Sequence, residues 1–203
     1  MSLLAPRPPE PVGWALNAQG TRAQPPLKGF AMTDHSGASR RPGSLATIEI
    51  AKDYLNFSAG HFTIFSATER ENLHGHNWRV GCEIETPIGD DGLCFDYGRA
   101  KKALMALCEQ LDEKVLLPTQ SPHLRIEEGT PYLLAHYGAE AIPFLPRDVL
   151  LLPLANITVE ALAGWFVEAL LADPSLPQEA ITGLRVRVSS GTEQWASRYW
   201  STS

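Results

Sequence analysis

A chain of 203 residues with a formal charge of −6 is long enough to bury a core without disulfides, and its overall negative field excludes nonspecific attraction to nucleic acid or to an anionic membrane surface. No run approaches the roughly 20 consecutive apolar residues of a membrane-spanning helix, and the N-terminus lacks the basic-then-apolar order of a secretory signal. Cys82, Cys94 and Cys108 are odd in number and show no Cys-x-x-Cys spacing, which predicts free buried thiols in a reducing, cytoplasmic compartment.

Residues 1 to about 44 carry seven of the 16 prolines among Gly, Ser, Ala and Arg, without helical or strand periodicity. That composition predicts a disordered extension ahead of one domain over 45–203. Met32 offers a start that would drop most of the extension and keep every element that follows. Alternation then predicts strands over 47–51, 54–65 and 76–85, the last with Trp78, Val80, Cys82 and Ile84 on one face. Gly89 and Gly92 mark a turn. Asp96 is placed to cap a helix running to about Leu111, whose apolar face is Ala100, Ala103, Leu104, Leu107, Cys108 and Leu111. Residues 118–153 are rich in proline with short β-like runs such as 124–127, and read as an insertion. A second helix starts near Thr158, carries Leu162, Trp165, Phe166, Ala169 and Leu170 on one face, and stops before Pro174. Residues 184–188 and 195–200 close the chain as a strand pair. The expected class is α+β, an antiparallel four-stranded sheet with two helices on one face and a β-like insertion between the helices.

Leu73-His74-Gly75-His76-Asn77 opens a strand, and side chains two apart on a strand share a face, so both imidazoles point the same way. His61 closes the preceding strand, where an antiparallel partner can bring it beside the pair. Three neutral imidazoles with a fourth position open form the donor set of a catalytic zinc, and Gly60 and Gly75 would let the backbones approach closely. Spacing alone leaves a surface or hydrogen-bonded pair of histidines as the alternative.

Phe57-Ser58-Ala59-Gly60-His61, Leu73-His74-Gly75-His76-Asn77-Trp78, Gly92-Leu93-Cys94-Phe95-Asp96-Tyr97, Leu111-Asp112 and Asn156-Ile157-Thr158-Val159-Glu160 follow one another along the chain. In this order, over roughly residues 48–200, the sequence resembles the 6-pyruvoyl-tetrahydropterin and 6-carboxy-tetrahydropterin synthase family. The resemblance implies a tunnelling fold, in which subunits join their sheets into a barrel, usually as a hexamer. It implies zinc on His61, His74 and His76, and lyase chemistry on the side chain of 7,8-dihydroneopterin triphosphate or a close analogue. There the metal binds side-chain hydroxyls and acidifies neighbouring C–H groups, so that a general base can move protons and phosphate can leave. Thr158 and Glu160 match the segment that contacts the pterin, the alternative being a helix cap and a first-turn acid.

The sequence departs from the family in three places. The family's catalytic cysteine would precede the His-x-His pair, where this chain has Thr68-Glu69-Arg70-Glu71-Asn72. Cys82 cannot replace it, since six residues of strand beyond His76 span about 20 Å. Glu71 resembles a variant branch in which glutamate takes the cysteine's place, and desolvation beside the site is expected to raise its pKa toward that of an effective base; a solvated loop charge is the other reading. Asp112 matches the family's Asp-His pair, but Glu113 stands where its histidine belongs, which alters the proton relay unless His123 or His136 supplies an imidazole. Ser190 falls where the glutamate that grips the pterin's amino-pyrimidine edge is expected, with Glu193 three residues on as its substitute. Two functions follow: a zinc-dependent lyase acting on a pterin, or a catalytically silent paralogue that keeps zinc and binds a pterin. A changed substrate with retained zinc chemistry is a third. Neither the product nor the pathway, among queuosine, folate and tetrahydrobiopterin, is specified by these motifs.

Overall fold

The longest alternating run organises the sheet. His74, His76, Trp78, Val80, Cys82 and Ile84 share one face of a 14-residue strand, β3 (His74–Pro87), and the other strands add to its two edges. The computed structural model describes residues 44–202; the expected extension and the start at Met32 lie outside the described residues. β1 (Leu45–Ile50) and β2 (Asn56–His61) share one edge of β3, both antiparallel. β1 runs along its second half, from Ile50 opposite Cys82 to Leu45 opposite Pro87, and β2 along its first half, from Asn56 opposite Arg79 to His61 opposite His74. The chain's last two strands, β9 (Gly183–Ser189) and β10 (Trp195–Ser201), cover the other edge in that order.

The sheet has seven strands rather than four. β4 (Lys114–Pro118) and β8 (Val149–Leu152) extend it beyond β2, each parallel to its neighbour. Val115-Leu116-Leu117 and Val149-Leu150-Leu151-Leu152 are unbroken apolar runs, the pattern of strands covered on both faces, so alternation does not reveal them and the flanking Pro118 and Pro153 suggest a loop instead. The strand expected over 54–65 stops at His61, because the chain turns into a hairpin closed by a bridge between Ile64 and Arg70.

α1 (Gly98–Leu111) and α2 (Val159–Ala172) cover one face of the sheet. Ala103, Leu104 and Leu111 of α1 and Leu162, Phe166 and Leu170 of α2 join Phe57, Trp78, Val80 and Val186 in one core. Asp96 stands one residue outside the expected cap: Tyr97 is the N-cap, while the Asp96 carboxylate accepts from the Gly98 N–H at 2.9 Å and bends the chain into the helix. Thr158 caps α2 as expected, its hydroxyl accepting from the Ala161 N–H at 3.2 Å. Phe57 and Trp78 stack at 5.8 Å with planes 7° apart. Phe57→Ala is expected to cost about 3–5 kcal/mol, read as a lowered urea midpoint with an unchanged slope. Cys82 and Cys108 are buried here with thiols pushed up to about 12 by burial, so neither is a nucleophile at neutral pH. Cys94, expected to be buried as well, is only half-buried.

Between β4 and β8 the chain leaves the main sheet for a three-stranded antiparallel one, made of β5 (Arg125–Glu127), β6 (Leu133–Tyr137) and β7 (Glu140–Phe144). Its Leu133, Ala135, Tyr137 and Phe144 form a second core with Phe62 and Ile64 of the hairpin that follows β2. No described helix is long and apolar enough to cross a membrane.

Candidate metal centre and its cleft

The β2–β3 register sets His61 directly opposite His74, and the two-residue period brings His76 onto the same face. One ring nitrogen from each lies within 4.8 Å of the others. Gly60 and Gly75 are not needed for this approach, since a Cβ on either would meet nothing closer than 3.5 Å. The remaining ring atoms are held from behind. The His61 Nδ1–H donates to the Ile157 carbonyl at 2.9 Å, and the His74 Nδ1–H donates to the Asn72 carbonyl at 2.8 Å. These bonds select the tautomer that leaves each Nε2 with a free lone pair.

What those lone pairs face identifies the site. The His61 Nε2 is buried with no hydrogen-bond partner, and the Nε2 atoms of His74 and His76 stand 2.9 Å apart. An unpartnered buried nitrogen is unfavourable, and a cation placed among the three would satisfy it beside the close Nε2 pair of His74 and His76. The trio can therefore hold a metal ion.

Burial, with His74 and His76 adding to it, holds His61 below the ordinary histidine value although the Ile157 carbonyl raises it. Burial followed by His74 does the same to His76. Below the unfolded value of about 6.5 the unfolded chain then binds more protons than the folded one, so stability falls as pH drops through that range. For metal-stripped protein the urea midpoint should fall between about pH 7 and pH 5, and His76→Gln should flatten the slope. A pH-independent midpoint would contradict the burial of neutral imidazoles.

Glu71 lies in the same cleft, a space of about 370 Å³ that the three histidines share with Thr63, Thr158, Glu160, Ser190 and Gln194. The Thr63 N–H donates to Glu71 Oε2 at 2.9 Å, and the Glu71 N–H donates to the Thr63 carbonyl at 2.9 Å. The expected rise in the Glu71 pKa is corrected by these contacts. Burial pushes it up, but the Thr63 hydroxyl and amide, with His74 and His61, outweigh burial and hold it below the ordinary carboxylate value. The carboxylate is ionised at neutral pH, the form that accepts a proton.

The other expected residues divide. Thr158 and Glu160 line the cleft from the start of α2, and Ser190 lines it ahead of β10; Glu193 is not in the lining, and its neighbour Gln194 is. Asp112 and Glu113 bracket Ser58 instead: Asp112 Oδ1 accepts the Ser58 N–H at 2.7 Å, and the Glu113 N–H donates to the Ser58 carbonyl at 2.8 Å. Ser58 faces away from His61 by strand period. Glu113, with φ of 56°, lines a neighbouring hollow of about 470 Å³ with Ser58, Gly60, Gly75, Asn77 and His76, which borders both spaces. His123 is exposed and His136 meets Glu127 at 3.1 Å on the small sheet; neither lines the cleft.

Sequence reasoning missed Thr63, Trp78 and Gln194 as cleft residues. Trp78 stands edge-on to His61 at 4.9 Å and to His76 at 5.4 Å, and its Nε1–H donates to the Ala59 carbonyl at 3.2 Å. Its position, two residues beyond His76 on the same strand face, is a readable signal; Thr63 has none, because its role exists only once the hairpin forms.

Over residues 49–200 the chain matches the sequence profile of 6-pyruvoyl tetrahydropterin synthase. A Pyrococcus abyssi protein named as a candidate 6-carboxy-5,6,7,8-tetrahydropterin synthase is 29% identical over 141 residues, 69% of this chain and 83% of its own length. The crystal structure of 6-pyruvoyl tetrahydropterin synthase from Plasmodium vivax superposes with a TM-score of 0.73 at 26% identity, covering 78% of this chain and 99% of that one. A variant of the Plasmodium vivax enzyme, in which a glutamate described as a catalytic residue is replaced by alanine, superposes with a TM-score of 0.73 at 25% identity over 78% of this chain and 99% of its own.

Proposed function

This chain belongs to the 6-pyruvoyl tetrahydropterin synthase family and has its tunnelling fold, and we propose that it is a zinc-dependent lyase acting on the side chain of 7,8-dihydroneopterin triphosphate or a close analogue. The observation that carries this reading is that Glu71 and the three-histidine group share one cleft, since moving a side-chain proton requires a base beside the polarising cation. A glutamate described as catalytic in the Plasmodium vivax relative supports the same role here.

His61, His74 and His76 would hold zinc through Nε2. Each brings one ring nitrogen within 4.8 Å of the other two, the close set of three neutral donors that a zinc ion would need. When bound, zinc supplies Lewis-acid polarisation of the substrate's hydroxyl oxygens. Glu71, oriented by Thr63, accepts the proton released from the neighbouring carbon. Thr158, Glu160, Ser190 and Gln194 are assigned to the heterocycle, whose amide and amino groups need both donors and acceptors. Asp112 and Glu113, which hydrogen-bond the Ser58 backbone at the edge of β2 and do not line the cleft, are given no step within one chain, and Gln194 rather than Glu193 is assigned to the heterocycle.

Mass spectrometry after incubation with 7,8-dihydroneopterin triphosphate tests the reading. A 6-carboxy, 6-pyruvoyl or 6-hydroxymethyl pterin supports it. Tight pterin binding without any product would instead identify a catalytically silent, zinc-containing paralogue.

We assign the protein to the cytoplasm as a homo-oligomer, with a hexamer as the expected state. The sheet face without helices carries Leu45, Trp195 and Tyr199 in exposed positions beside the Arg185–Glu83 and Arg187–Glu49 pairs, a mixed aromatic and charged surface that a neighbouring subunit could cover. Light scattering at micromolar concentration should give roughly six times the chain mass; a monomer would remove this assignment.

A further inference from the structure

The segment that presents Glu71, Ser66-Ala67-Thr68-Glu69-Arg70-Glu71, has no apolar run to anchor it. Yet the Arg70 side chain is only 15% exposed. Two of its three guanidinium nitrogens are bonded, while Nε is buried without a hydrogen-bond partner. Nη1 donates to the carbonyl of Glu71 at 2.8 Å, and Nη2 pairs with Glu140 Oε2 on β7 at 2.5 Å. The Arg70 Cζ lies over the rings of Phe62 and Tyr137 at 5.2 and 5.4 Å. Tyr137 adds a second tie, its hydroxyl donating to the Ser66 carbonyl at 2.8 Å.

The partners of Arg70 come from two places. Phe62 immediately precedes Thr63, whose amide holds the Glu71 carboxylate, and Tyr137 and Glu140 belong to the three-stranded sheet. A planar fork between two rings has its in-plane directions fixed, which a flexible ammonium does not. We infer that Arg70 is a positioning residue: it couples the three-stranded sheet to the backbone of Glu71 and so fixes the carboxylate at the metal cleft. This rests on the reading of Glu71 as the base, and it gives the excursion between β4 and β8 a task in the reaction.

The test uses the full chain with zinc bound and compares Arg70→Met, Arg70→Lys and Glu140→Gln with wild type. Zinc content should be unchanged in all three, since no ligand is touched. Amide exchange at Thr63 and Glu71 should be roughly tenfold faster in Arg70→Met. With 7,8-dihydroneopterin triphosphate, kcat should fall roughly ten- to a hundredfold while KM stays within about twofold. Arg70→Lys, which keeps the charge without the fork, should restore only part of the loss. Adding Arg70→Met to Glu71→Gln should lower kcat no further, because a residue that acts through another then has nothing left to position. Fully additive losses would overturn the coupling to Glu71, and unchanged exchange would overturn the clamp itself. If wild type shows no turnover, the lyase reading fails on its own, and amide exchange still decides for or against the clamp. Glu140 is 62% exposed, so Glu140→Gln leaves the fold intact should Arg70→Met not fold, and it should speed the same amides in the same direction.

Discussion

Replacing His74 with alanine should reduce bound zinc from about one ion per chain to near none and abolish turnover with it. His74 sits at the first position of β3, opposite His61, and its ring is oriented by the Asn72 carbonyl. Without it, His61 and His76 offer two nitrogens, and two imidazoles do not compete with water and buffer for the ion. The fold should survive, because His74 is only half-buried and lies outside both apolar cores. The loss should therefore appear in metal analysis and in activity, with the urea midpoint close to that of metal-stripped wild type. Wild-type protein with no more zinc than His74→Ala would end the metal assignment.

Glu71→Gln should leave zinc in place and lower kcat on the order of a hundredfold or more. The amide keeps an oxygen to accept from the Thr63 N–H and occupies nearly the same volume, so the hairpin and the cleft persist. What it loses is basicity. Comparable turnover in the variant would show that another group takes the proton, and Glu160, which lines the same cleft, would be the next to replace. Glu113 would follow only after that, because it lines the neighbouring hollow rather than this cleft, although His76 borders both.

The three-histidine group was legible because it depends on local rules: the two-residue period of a strand places His74 with His76, and an antiparallel neighbour supplies His61. Helix positions were legible from Asp96, Thr158 and Pro174 for the same reason, since capping and termination act within a few residues. The parallel strands β4 and β8 were not. Their Leu-rich runs do not alternate, and what pairs them is the return of the chain after the excursion rather than anything in either run. The direction of the Glu71 shift was illegible too, because the hydrogen bonds that decide it come from Thr63 across a hairpin that sequence spacing does not announce. Asp112 aligns with the family's motif and Glu113 stands where its histidine is expected, yet neither lines the cleft, and no local spacing announces their bonds to the Ser58 backbone.

The hydrogen bond from His61 to the Ile157 carbonyl spans 96 positions of sequence, and this imposes an order of events on biosynthesis. All three histidines have left the ribosome by the time residue 76 emerges, but the carbonyl that selects the His61 tautomer emerges about 80 residues later, which at about 5–20 residues per second is a delay of several seconds. During that interval the three imidazoles would lack the bond that fixes His61, and either of its ring nitrogens could face the other two. Arrival of α2 fixes that ring. Loading with metal should thus coincide with docking of the second helix, and a ribosome-bound chain truncated before Ile157 should exchange its ion with a chelator far faster than the released protein does.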